Sequence, residues 1–262
     1  MYSTEAALLP DLGPVIVEAR YPLLFATVSG AHLYGFPSRD SDVDLRGVHL
    51  VPIGDLVGLG RPGETVSRMW NRDGVEMDLV THDVAKFARL LLRPNGYVLE
   101  QLLSPLVAHT TAFHAELVDL APRLVTSGHA GHYRGFAATQ WRLFGKSGQL
   151  KPLLYAYRTL LTGIRLMQSG EVLAHLPTLA RAAHAPRYLP ELIAAKSDAE
   201  HSRLDAVDGA PDRDRLAHDT AALVGLLEDA RADTRLPDQP SARPVIDDLI
   251  VRARLAHDDH GW

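Results

Sequence analysis

The sequence has no cysteine. That excludes disulfides, thiolate-held metals and cysteine nucleophiles, and it suits a reducing compartment. No apolar run approaches the ~20 residues needed to span a bilayer, and residues 1–13 lack the basic segment and apolar core of a secretory leader. Positive charge is not in excess: 27 Lys and Arg stand against 32 Asp and Glu, a net charge of −5. A broad nucleic-acid-binding face usually needs a basic field, so any such contact is expected to be local. Also missing are the Gly-x-x-x-x-Gly-Lys-Ser/Thr phosphate loop, the Gly-x-Ser-x-Gly nucleophile elbow and a spaced histidine pair with a carboxylate for zinc. The expectation is a soluble, cytoplasmic protein with no membrane partner. Its 46% hydrophobic content supplies a core, and 262 residues allow one large domain or two modest ones.

What is present concentrates in residues 27–51, which hold a glycine turn, a polar loop and two aspartates one residue apart. In an extended strand alternate side chains share a face, so Asp42, Asp44 and Arg46 are expected on one side and Val43 and Leu45 on the other. Adjacent carboxylates repel unless a positive group lies between them, and a divalent metal is a common answer. The bland alternative is a solvated strand edge. Further on, Val75, Met77 and Leu79 alternate with Glu76 and Asp78, which places Asp78 beside Glu76 on a polar strand face. If neighbouring strands meet, Asp42, Asp44 and Asp78 form a three-carboxylate set able to hold two magnesium ions, which favour oxygen ligands and share their shell with phosphates. A glycine such as Gly30 lets backbone approach phosphates.

The remaining chain reads as follows. Residues 1–22 form a short helix and a loop, 21–28 a strand, 30–35 a helical turn, 43–51 a strand, 64–70 a further strand and 75–80 another. Asp83 caps a helix over 84–92, and a second helix follows over 97–103. Strand signals fade after about residue 108. Helices are expected over 112–120, 130–145, 149–168 and 213–232, then a proline-bearing linker over 233–244, a docking helix over 245–256 and a loose tail from His257. The 149–168 segment carries an apolar stripe at helical spacing and a separate line of Lys151, Tyr155, Arg158, Thr162 and Arg165. Such a line is either a solvated face or the wall of a binding cleft.

The blocks Ser29-Gly30-Ala31, Tyr34-Gly35 and Ser41-Asp42-Val43-Asp44-Leu45-Arg46-Gly47-Val48 resemble the DNA polymerase β-like nucleotidyltransferase superfamily. Within it they are most similar to the predicted nucleotidyltransferase branch associated with phage RNA ligase and RNA repair. Asn95, Glu100 and the helix bearing Lys151 and Arg158 share that likeness. The resemblance implies an α+β fold, with a small mixed-sheet catalytic domain flanked by helices over residues 1–110 and an all-helical domain closing the nucleotide cleft over 111–262. It implies a metal-dependent enzyme that moves a nucleoside monophosphate from an NTP to an acceptor hydroxyl and releases pyrophosphate. Asp42, Asp44 and Asp78 would be the catalytic metal ligands, for magnesium or manganese, with Asp78 also a candidate general base. Ser29, Gly30, Ala31, Ser41, Arg46, Lys151, Tyr155 and Arg158 would contact the nucleotide. The acceptor would be an RNA end, or alternatively a protein or small molecule; a catalytically silent nucleotide-binding module is the remaining reading. Ala31 departs from the pattern, which has Gly or Ser there, and an alanine has no hydroxyl to offer a phosphate.

Overall fold

The computed structural model describes residues 9–198 and 201–258. In chain order these form α1 (Gly13–Val17), β1 (Leu23–Val28), α2 (Gly30–Tyr34), β2 (Val43–His49), α3 (Ile53–Val57), β3 (Thr65–Arg72), β4 (Val75–Asp83), α4 (Val84–Leu91), α5 (Gly96–Leu102), β5 (Val107–His109) and α6 (Ala112–Asp119). There follow α7 (His129–Ser147), α8 (Leu150–Ser169), α9 (Leu176–Leu179), α10 (Leu189–Asp198), α11 (Arg213–Asp233) and α12 (Arg243–Asp258). The reading of residues 1–8 and of the tail beyond Asp258 lies outside the described residues; α12 itself continues past His257.

The chain divides into two compact units. One comprises Met1–Gly30, Asp42–Leu124 and Gln239–Trp262; the other comprises Ala31–Ser41 and Val125–Asp238. The sheet unit therefore runs past residue 110 and recovers the last helix, and the helical unit includes a short early segment.

The sheet unit is built on a mixed five-stranded sheet in the order β3-β4-β2-β1-β5. β2 lies at its centre, antiparallel to β1 and parallel to β4. The alternation at 75–80 works as its period demands: Met77 and Leu79 are buried and Glu76 is exposed. β3 and β4 form a hairpin closed by Asp73 and Gly74, both at positive φ (52° and 85°), the conformation that two-residue hairpin turns require. β5 is an edge strand of three residues, too short to announce itself by alternation. Asp83 ends β4 and caps α4, its side chain accepting from the Ala85 N–H at 3.0 Å. α4 packs on β2 and β4, α6 on β1, and α12 on α3, α4 and α6. The same Asp83 carboxylate accepts from Arg254 at 2.8 Å, and Arg254 also donates to the Val51 carbonyl at 2.8 Å, which fastens α12 to the end of β4.

The helical unit centres on α8, which packs against α7, α9, α10 and α11. Being surrounded, α8 buries more than its apolar stripe: Arg158, Thr159 and Thr162 are buried with it. α10 turns Leu189, Leu192 and Lys196 inward at helical spacing. A lysine in that line disguises the apolar face in the sequence.

Candidate active site

The parallel β2–β4 register sets Asp44 directly opposite Asp78 and Arg46 opposite Val80. Opposed residues on adjacent strands point to the same face, so the two carboxylates are neighbours. Asp42 precedes β2 by one residue and is half-buried, as are Asp44 and Asp78. Glu76 is exposed on the same strand as Asp78.

The Arg46 guanidinium occupies the space between Asp44 and Asp78. Its Nη2 ion-pairs with both carboxylates, at 2.7 Å to Asp78 Oδ2. Nη1 donates to the Asp78 carbonyl at 2.7 Å and the Leu45 carbonyl at 3.1 Å, and Nε donates to the Tyr97 hydroxyl at 3.0 Å. Burial by itself would lower the Arg46 pKa; Tyr97, Asp44 and Asp78 together outweigh it and raise it, so the guanidinium is a fixed positive charge.

Gly30 lies against Asp44. Its φ is +61°, and a β-carbon there would fall 1.9 Å from Asp44 Oδ2. Only glycine takes this conformation readily and leaves that space to the carboxylate. Ser29 donates its N–H to the Asp44 carbonyl at 2.8 Å, and its buried hydroxyl has no partner among the described residues.

Oxygen donors of this kind suit magnesium or manganese. The guanidinium seated between Asp44 and Asp78 marks the pair as a cation-holding site, so the donor set fits a divalent ion in its chemistry. Among the described residues, no three His, Asp or Glu side chains are gathered into a single metal-holding group.

The other expected nucleotide contacts belong to the helical unit. Ala31 is buried on α2. Ser41 braces a turn: its hydroxyl accepts from the Ser38 N–H at 2.9 Å and bonds the Ser38 hydroxyl at 3.0 Å, while the buried Lys196 donates to Ser38 Oγ at 3.0 Å. Arg158 is buried with its guanidinium 3.8 Å from the Tyr34 ring centroid, a close cation–π contact. Lys151 and Tyr155 line a pocket of about 430 Å³ with Gln140, Leu143, Lys146 and Gln149. Among the described residues no acidic side chain lines it. Tyr34 and Phe36 meet the Tyr155 ring edge-on, at centroid distances of 5.2 and 5.7 Å, and hold it in place.

Sequence reasoning passed over Tyr97, Lys146 and Lys196. Tyr97 could be found only through its contact with Arg46, fifty-one residues away. Asn95 stands at the N-cap of α5 without a side-chain capping bond, and Glu100 is buried on that helix.

A small mixed sheet that pairs two aspartates on central strands, with a glycine backbone against one of them, has the form of a nucleotidyltransferase of the DNA polymerase β type. The profile of the RNA repair pathway DNA polymerase beta family (RlaP) matches residues 5–252, and the chain belongs to that family. An uncharacterized protein of Methanocaldococcus jannaschii is 31% identical over 154 residues, covering 56% of this chain and 61% of that protein. A solved structure described as a nucleotidyltransferase-like protein from Exiguobacterium sibiricum 255-15 superposes with a TM-score of 0.30 at 14% identity, over 87% of this chain and 72% of that one. Family membership rests on the sequence match.

No helix among the described residues is long and apolar enough to cross a membrane.

Proposed function

We propose that the protein transfers a nucleoside monophosphate from an NTP to an acceptor hydroxyl. The acceptor oxygen forms a bond to the α-phosphorus, the bond from that phosphorus to the bridging oxygen breaks, and pyrophosphate leaves. The observation that carries this reading is the in-register Asp44–Asp78 pair beside the backbone of Gly30. Asp42, Asp44 and Asp78 would hold magnesium or manganese. Such an ion, when bound, neutralises phosphate charge and makes the attacking hydroxyl easier to deprotonate. Asp78, the carboxylate that the family likeness offers as general base, takes the proton of the acceptor hydroxyl. Gly30, having no β-carbon, leaves the Asp44 carboxylate the space it occupies next to Asp78.

The helical unit carries, taken by itself, a pocket on α7 and α8 whose chemistry suits a nucleotide. A rigid aromatic ring, side-chain amides and two lysines suit a nucleobase and its phosphates. The family's tie to RNA repair favours an RNA end as acceptor.

The test is incubation with magnesium, each labelled NTP and RNA ends or cell extract, followed by detection of labelled product and pyrophosphate. The Asp42→Ala, Asp44→Ala double variant should yield neither. Transfer that persists in this variant would rule the assignment out. Transfer to protein in extract and not to RNA would reassign the acceptor.

A further inference from the structure

Arg46 is bonded more completely than an arginine that merely neighbours two acids. Its three nitrogens reach five oxygens, and these belong to Leu45, Asp44, Asp78 and Tyr97. The contacts span both strands of the central parallel pair as well as α5. The side chain is buried, so the fork is held in a single place. The edge formed by Nη2 points at the two carboxylates, whereas Nε and Nη1 are anchored on a phenol and two backbone carbonyls. One edge of the guanidinium is thus tied to groups with no role in metal binding, and the other lies on one oxygen of each carboxylate, Asp44 Oδ1 and Asp78 Oδ2.

We infer that Arg46 is the resident counter-cation of this site, and that a divalent ion binds Asp44 and Asp78 only by displacing the Nη2 edge. The inference rests on the nucleotidyltransferase reading for its purpose, and on the Arg46 contacts alone for its geometry. Without a metal, two neighbouring carboxylates would repel; the guanidinium between them neutralises them. When the carboxylates are taken by a metal, the freed Nη2 edge is left with a positive charge that no carboxylate offsets. A substrate phosphate is the group that satisfies it. Metal and nucleotide then favour one another: each relieves a charge that the other leaves exposed.

Manganese binding to the full chain, without nucleotide, tests this. Free Mn²⁺ is followed by electron paramagnetic resonance in the wild type, Arg46→Gln and Asp44→Asn. Removing the competing cation should tighten Mn²⁺ binding about tenfold in Arg46→Gln, within the usual range of coupling between sites. Asp44→Asn should lose binding. A second measurement needs no variant. In ¹⁵N-arginine-labelled wild type, the Arg46 Nη protons should be protected from exchange without metal and lose protection when Mg²⁺ is added. Equal or weaker Mn²⁺ binding in a folded Arg46→Gln, or Arg46 protons unmoved by saturating Mg²⁺, would overturn the inference. Neither readout involves NTP or turnover, so the exchange can fail while nucleotidyl transfer stands, and the reverse.

Discussion

The space where a β-carbon of Gly30 would sit is filled by the Asp44 carboxylate, and the backbone there is left-handed. Gly30→Ala must therefore strain the backbone, at a cost of about 1–2 kcal/mol, and push Asp44 aside. A displacement on the order of 1 Å at a reacting group costs about 100-fold in rate. The variant should fold with a modestly lowered melting temperature and lose nucleotidyl transfer by about that factor. Unchanged transfer would separate Gly30 from the site. Ala31 sits next to it where the superfamily pattern has Gly or Ser. Neighbouring Ser29 is fully buried, so its hydroxyl is turned into the protein.

At the scale of elements, a buried ion pair helps fasten α12 to the sheet unit. Arg254 and Asp83 are both largely buried, and Asp83 also caps α4 and accepts from the Val51 N–H at 3.3 Å. Removing one member of such a pair strands the other, at a cost of about 3 kcal/mol or more. Arg254→Ala should lower the urea midpoint accordingly, whereas Arg252→Ala, in an exposed network with Glu116 and Asp248, should change it little. On α8, Tyr155→Ala removes a ring packed edge-on against Tyr34 and Phe36, so it should lower the melting temperature as well as weaken NTP binding, measured by equilibrium binding to the folded variant. The strands and helices most legible in the sequence were those with long regular patterns: β4 by its alternation, α8 by its stripe, α4 by its Asp83 cap. β5 and α10 were not legible, because three residues carry no period and Lys196 interrupts an apolar line.

At the scale of the molecule, histidines in both units respond to acid. Burial, partly opposed by Asp83, lowers His49 to about 4; burial, partly opposed by a bond to Thr126, lowers His129 to about 4. The unfolded chain binds these protons near pH 6.5, before the folded protein does. Their contribution to stability is therefore complete above pH 6.5 and is lost as pH falls towards 4. Thermal melts between pH 7.5 and 4 should show the melting temperature dropping across that window. A His129→Gln variant should flatten the drop, and an identical pH profile in that variant would argue against this histidine.

The local chemistry was set by the sequence: which residues carry charge, where strands alternate, and that Asp44, Arg46 and Asp78 stand on strands, with Asp42 just before the first of them and a glycine upstream. Short-range periodicity and motif spacing are properties of neighbouring residues, so one chain is enough to read them. Only the tertiary structure decided who meets whom. Asp44 faces Asp78 because β2 and β4 pair in parallel with that register. Arg46 reaches both because that register puts them side by side and Tyr97 anchors the far edge of its guanidinium. Arg158 is buried on Tyr34 because four helices surround α8. Each of these contacts joins residues that pairing and packing bring together, and no local pattern in the sequence encodes them.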